Sequence, residues 1–179
     1  MRTLVFPKAL MCWLKCQDCK LGAWAHKHVL GRGETGELLF LGEAPGRSEE
    51  LLGLPFVGPA GKLLDDALET VRGKKFFANL LACRPSDKQG GPNRAPELKE
   101  VQACWGRVQE TIRFASPKGI VLLGRVPAMF WEEMKGQEIF PGPVLKAMHP
   151  AALLRRGGKN AVDYNEYVAN FRNFAETVL

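Results

Sequence analysis

Glu43, Glu49, Glu50 and Phe56 crowd into one stretch, LLFLGEAPGRSEELLGLPFVGPAGKLLDDAL, between Leu38 and Leu68. An apolar run halts at Gly42-Glu43-Ala44-Pro45-Gly46, acids follow, and the Phe stands between further Gly and Pro turns. Acids handle protons and charge, an aromatic ring stacks on a planar group, and a Gly/Pro turn leaves backbone bare. A second group is sulfur. Cys12, Cys16, Cys19, Cys83 and Cys104 make an odd count, which argues against a disulfide framework. Cys16-x2-Cys19 is a knuckle whose two thiolates can face one ion, and Cys83 with Cys104 can complete a four-thiolate site for zinc or an iron–sulfur cluster. Twenty residues separate the second pair, which weakens a zinc ribbon. Cys12-x3-Cys16-x2-Cys19 also matches the triplet of radical enzymes that use S-adenosylmethionine, but 179 residues are too few for their large α/β barrel.

The elements that must position these groups follow from pattern. Leu38–Gly42 reads as a buried strand and Pro59–Val71 as a helix with Pro in its first turn and Gly73 beyond its end. Lys75–Ala82 is a second strand, SDKQGGPNRAP a loop, and Gly119–Gly124 a third strand. Glu97–Ala115 carries Leu98, Val101, Trp105, Val108 and Ile112 at helical spacing, with Cys104 beside that stripe. Val126–Met134 reads as a short helix, Val144–Met148 as a fourth strand ending at His149-Pro150. Tyr164, Tyr167, Phe171, Phe174 and Val178 stripe a last helix. This alternation predicts an α/β fold of three α/β/α layers around a central four-stranded, mostly parallel sheet, in one domain over residues 1–179. Ligands of such sheets bind beyond the carboxyl ends of the strands, where the Gly42–Gly46 turn, Asn79 and His149 converge.

A net charge of +6 favours a polyanionic partner, through release of its counterions. No apolar run approaches the roughly 20 residues of a membrane span, and the first residues do not read as a signal peptide. A phosphate-cradling loop is excluded: in FVGPAGKL, Phe56 stands in the first glycine's place and Leu63 in the hydroxyl's.

Together, GEAPGRSEELLGLPFVGPAGKLLD, NLLACRP, PNR and HPAALLR resemble the thermophile-type, family 4 uracil-DNA glycosylases, from about Cys16 to Arg155. The resemblance implies an enzyme that flips deoxyuridine out of DNA, hydrolyses its N-glycosidic bond and leaves an abasic site. It implies that Phe56 stacks on uracil and that the Asn79 amide reads its edge. It further implies that His149 hydrogen-bonds the O2 oxyanion, aided by backbone around Glu43, Ala44 and Gly46. In the best-known branch of the superfamily the third residue of this loop is an aspartate that positions water. Ala44 stands there, and the family pattern shifts the task to Glu49 paired with Asn93, with Glu43 contributing mainly through its backbone. Leu153 is the expected wedge into the base stack and Arg155 the expected phosphate contact. Cys16, Cys19, Cys83 and Cys104 are the implied ligands of a [4Fe–4S] cluster, leaving Cys12 spare. No histidine lies between Cys83 and Cys104, which favours turnover over covalent trapping of the related uracil-trapping proteins. The expected protein is a cytoplasmic, nucleoid-associated monomer of prokaryotic or phage type that acts on single- or double-stranded uracil DNA, with a sliding clamp as candidate partner and no membrane association. Two rival readings are a non-catalytic DNA-binding protein with a redox-sensing cluster and a deaminated-purine glycosylase on the same scaffold.

Overall fold

The computed structural model describes residue 6 and residues 8–179; residues 1–5 and 7, part of the segment read as lacking a signal peptide, lie outside the described residues. Strands β1 (Arg32–Gly33), β2 (Leu38–Gly42), β3 (Lys75–Asn79), β4 (Gly119–Leu123) and β5 (Val144–Ala147) form one sheet in the order β1-β3-β2-β4-β5. β2 to β5 are parallel, and β1 pairs antiparallel with β3. The helices are α1 (Lys8–Met11), α2 (Lys20–Trp24), α3 (Arg47–Leu52), α4 (Pro59–Leu68), α5 (Leu98–Ala115), α6 (Arg125–Glu133), α7 (Gly136–Ile139), α8 (Pro150–Arg155) and α9 (Tyr164–Val178).

β2 and β4 are buried at every position, the pattern of parallel strands covered on both faces. Side chains alternate between two cores. Leu39, Leu41, Phe76, Ile120 and Leu122 meet Val101, Trp105, Val108 and Ile112 of α5. Leu38, Phe40, Phe77 and Val121 meet Leu63 and Leu64 of α4 and Tyr167 and Phe171 of α9 on the other face. Three layers result, as expected.

The sheet has five strands where four were expected. β1 is two residues long and carries no apolar alternation, so pattern is silent about it. Gly33 adopts φ +106°, and a Cβ there would lie 2.1 Å from the Lys75 carbonyl oxygen. The chain can turn against β3 at that point only without a side chain. β3 ends at Asn79 rather than Ala82, although the Leu80 and Leu81 amides still bond the Gly42 and Glu43 carbonyls. No described helix is long and apolar enough to cross a membrane. Gly42 and Asn79 are register partners at the carboxyl ends of β2 and β3, with His149 just beyond β5.

Candidate active site and thiol group

A cleft of about 510 Å³ opens at these strand ends. Glu43, Ala44, Gly46, Glu49, Phe56, Asn79, Asn93, His149 and Arg155 all line it. Of the residues expected to act on uracil or touch DNA, Leu153 alone is not part of the cleft wall.

Gly42 is the floor. A Cβ on it would stand 2.4 Å from Asn79 Oδ1 and 2.5 Å from Phe56 Cζ, so the amide and the ring close together over a bare backbone. Phe56 reaches this place through a left-handed backbone, φ 54°, which costs a non-glycine residue about 1–3 kcal/mol. Its turn is held from both sides. Arg32 donates to the carbonyls of Pro55 at 2.8 Å and Phe56 at 3.2 Å, while the amides of Val57 and Gly58 donate to Glu49 Oε1 at 3.0 and 2.8 Å. The Gly46 amide donates to Glu49 Oε2 at 3.1 Å. Glu49 therefore ties the Gly42–Gly46 turn to the Phe56 turn with both oxygens, and the Gly46 amide is engaged by it. Glu43 makes no side-chain hydrogen bond among the described residues, and burial holds its carboxyl above the ordinary carboxylate range.

Asn79 is 3% exposed. Its carbonyl, with that of Leu80, accepts from Arg107 of α5, so the backbone that aims the amide is clamped from behind. Asn93 sits across the cleft. Arg84 donates to Asn93 Oδ1 at 2.9 Å, which leaves Nδ2 as the free end of the amide, toward Gly46 and Glu49. Arg84 is itself buried against Glu50 at 2.7 Å and donates to Gly91, so the long loop after Cys83 is tied down.

His149 caps α8, with Nδ1 accepting from the Ala151 amide at 3.1 Å. In the neutral ring this places the proton on Nε2, free to donate. Burial, then the nearby Arg155 charge, push its pKa below the usual histidine value, so the neutral ring is favoured. Ala151 and Arg155 are four residues apart and share the cleft face of α8. Leu153, midway between them, falls on the opposite face and is fully buried against the α4 and α9 core. The wedge expected of Leu153 is thereby corrected: it is a core residue. Leu154 is the exposed leucine of this helix, at 40%.

The sulfurs gather elsewhere. Cys83 and Cys104 are buried, Cys16 and Cys19 half-buried and Cys12 exposed, none in a disulfide. Burial, then Cys104, Cys19 and Cys16 in turn, drive the Cys83 thiol far above its usual range, while Arg107 pulls it down. Cys83 and Cys104 share one core cluster, with Cys19 packed against it. A Cβ on Gly22 of α2 would lie 2.4 Å from the Cys16 carbonyl oxygen, so helix and knuckle press together. Among the described residues no three His, Cys, Asp or Glu side chains close to single-ion distance. What the set offers is its donor chemistry: four thiols and no carboxylate or imidazole, the ligands of zinc and iron–sulfur sites.

Pattern had no means of finding Arg32, Arg84 and Arg107. Arg84 stands within the NLLACRP stretch, but nothing local says what it holds.

The profile of the Uracil DNA glycosylase superfamily matches residues 30–172. The chain belongs to that superfamily. It is 33% identical to a type-4 uracil-DNA glycosylase of Pyrobaculum aerophilum over 162 residues, 79% of this chain and 80% of the relative. It is 31% identical to the Thermotoga maritima type-4 enzyme, covering 79% of each, and 40% identical to that of Archaeoglobus fulgidus. The last match covers 65% of this chain and 58% of the relative, so the chain spans little more than half the length of the Archaeoglobus protein.

Proposed function

We propose that this protein is a type-4 uracil-DNA glycosylase that releases uracil from a flipped deoxyuridine. One observation carries the reading: the Asn79 amide and the Phe56 ring meet over Gly42, and His149 joins them in the same cleft with its Nδ1 already engaged. The ring stacks on the base. The amide donates to O4 and accepts from N3–H, a pattern that cytosine inverts. His149 Nε2–H donates to O2 as negative charge builds there. The C1′–N1 bond breaks with its electron pair leaving on uracil, water adds to C1′, and the water proton is taken up by a carboxylate or by the departing base. Glu43, unbonded and with a raised pKa, is better placed than Glu49 to meet that water; Glu49 positions the walls. Arg155 contacts phosphate, and the wedge falls to Leu154. The positive net charge supports a DNA substrate, and a single sheet with a core on each face supports one domain.

Cys16, Cys19, Cys83 and Cys104 are the residues that would hold a [4Fe–4S] cluster, whose contribution is to cross-link the N-terminal knuckle, the loop after β3 and α5. Anaerobically purified protein is therefore expected to be brown. Cys12→Ala retains the iron, whereas Cys104→Ala loses it and melts lower. Stoichiometric zinc without iron would rule the cluster out.

The function is tested by incubating the protein with uracil-, hypoxanthine- and cytosine-containing oligonucleotides and cleaving abasic sites with alkali. Strand breaks at uracil alone are expected; breaks at hypoxanthine alone, or binding without breaks, refute the reading. Gly42→Ala gives a further check. Its methyl displaces both Asn79 and Phe56, so KM for uracil DNA should rise at least about tenfold, ~1.4 kcal/mol, with circular dichroism unchanged. A wild-type KM would mean that the two groups do not close over Gly42.

A further inference from the structure

Arg107 is fully buried and, among the described residues, forms no salt bridge. The other buried charges are paired, Arg84 with Glu50 and Glu100 with Arg94. Its Nη2 donates to the carbonyls of Asn79 at 2.5 Å and Leu80 at 2.6 Å, its Nη1 to Thr111 Oγ1 at 3.3 Å, and its Nε has no partner. Carbonyl and hydroxyl dipoles solvate a guanidinium but do not neutralise it, and an uncompensated buried charge is strongly destabilising. Two groups nearby that can carry negative charge are thiols. Cys104 lies one turn earlier on α5, and Cys83 lies within electrostatic reach of the guanidinium.

We propose that Arg107 is a positioning residue whose counter-charge is the four-thiolate cluster and whose Nη2 holds the backbone that aims Asn79. The inference rests on the reading of the preceding section. Thiolates and iron–sulfur core together are net negative, so the cluster and Arg107 offset part of each other's charge once the cluster is in place. Its other end grips two successive carbonyls at the exit of β3, where the base-reading amide begins. The cluster then does more than peg the N-terminus to α5. It retains a cation in the core, and that cation fixes the recognition residue.

Two variants separate the charge from the grip on the carbonyls. Arg107→Lys keeps the charge, but its ammonium nitrogen ends one bond short of the Nη2 position, so it does not hold both carbonyls. Arg107→Met removes both. Each is purified with iron loaded, and the cluster's midpoint potential, its bleaching by ferricyanide and single-turnover uracil release are measured. A nearby cation favours the more reduced, more negative cluster, so Arg107→Met should lower the potential and bleach faster, whereas Arg107→Lys should match wild type in both. Uracil release should fall about 10–100-fold in either variant, as for other residues that orient a site from behind. Wild-type potential and bleaching in Arg107→Met would overturn the counter-charge; wild-type release in Arg107→Lys would overturn the relay, even if the Met variant does not fold. Wild-type protein without iron, or without uracil release, would instead sink the functional reading on which the inference stands.

Discussion

Asn79→Asp is expected to abolish most uracil excision and to open the site to cytosine. The amide at this position is nearly inaccessible and is locked by the Phe56 ring, the Gly42 backbone and the Arg107 clamp, so it has no room to turn. With an ionised Asp, acceptor faces the O4 acceptor of uracil and no donor answers it. A site built on buried hydrogen bonds rejects a mismatched partner by about 10⁴-fold, because the groups left unpaired cannot recover water. Uracil release by Asn79→Asp should therefore fall by on the order of 10⁴ in kcat/KM. Cytosine, which presents a donor where uracil presents O4, should be released at a rate measurable above the wild-type background. Iron content and melting temperature should change little, because the backbone carbonyl that Arg107 holds is untouched. Uracil activity within about tenfold of wild type, under ~1.4 kcal/mol, would show that Asn79 does not read the base.

The sheet was legible where apolar residues leave no alternative. Leu38–Gly42 and Gly119–Leu123 are short apolar runs between turn residues, and they are strands buried on both faces. The α5 stripe was legible for the same reason, although Leu98, its first member, is 41% exposed while Arg107 is wholly buried. Periodicity assigns faces by polarity, so a guanidinium turned into the core is invisible to it. α3 escaped because its leucines, Leu51 and Leu52, face solvent at 52% and 61% and make no core stripe. The cleft was anticipated from topology alone, since Gly42 and Asn79 end two parallel strands and His149 lies just beyond a third. What topology did not convey is which side chains act and which hold. Glu43 and Glu49 are both acids near one strand end, and only the hydrogen bonds of Glu49 set them apart. Leu153 and Leu154 are adjacent leucines, and only the face of α8 decides which is buried and which is exposed.

That division gives the last expected result. Glu43→Gln and His149→Ala should each slow single-turnover uracil release by about 10²–10³, the usual cost of losing one preorganised group that responds to transition-state charge. Affinity for uracil DNA should stay within a few fold, because neither interaction is at full strength before the bond stretches. Glu49→Gln should behave differently. Its amide brings a donor toward the amides of Gly46, Val57 or Gly58, which loosens the strained Phe56 turn. Melting temperature should fall and KM rise with a smaller loss in rate. The pH profile carries the same assignment. Glu43 acts ionised and titrates above the ordinary carboxylate range; His149 acts neutral and titrates below the usual histidine value. Both limbs lie on the acid side, so the rate should rise with pH and then level, and Glu43→Gln should remove one limb. Stability follows from proton binding. The unfolded chain protonates His149 at about pH 6.5, whereas the folded protein resists until lower pH. Between those two values the unfolded state holds more protons, so the contribution of His149 to stability declines as pH falls and is intact above them. A silent Glu43→Gln, beside a Glu49→Gln that folds and binds normally but does not cleave, would return the water to Glu49.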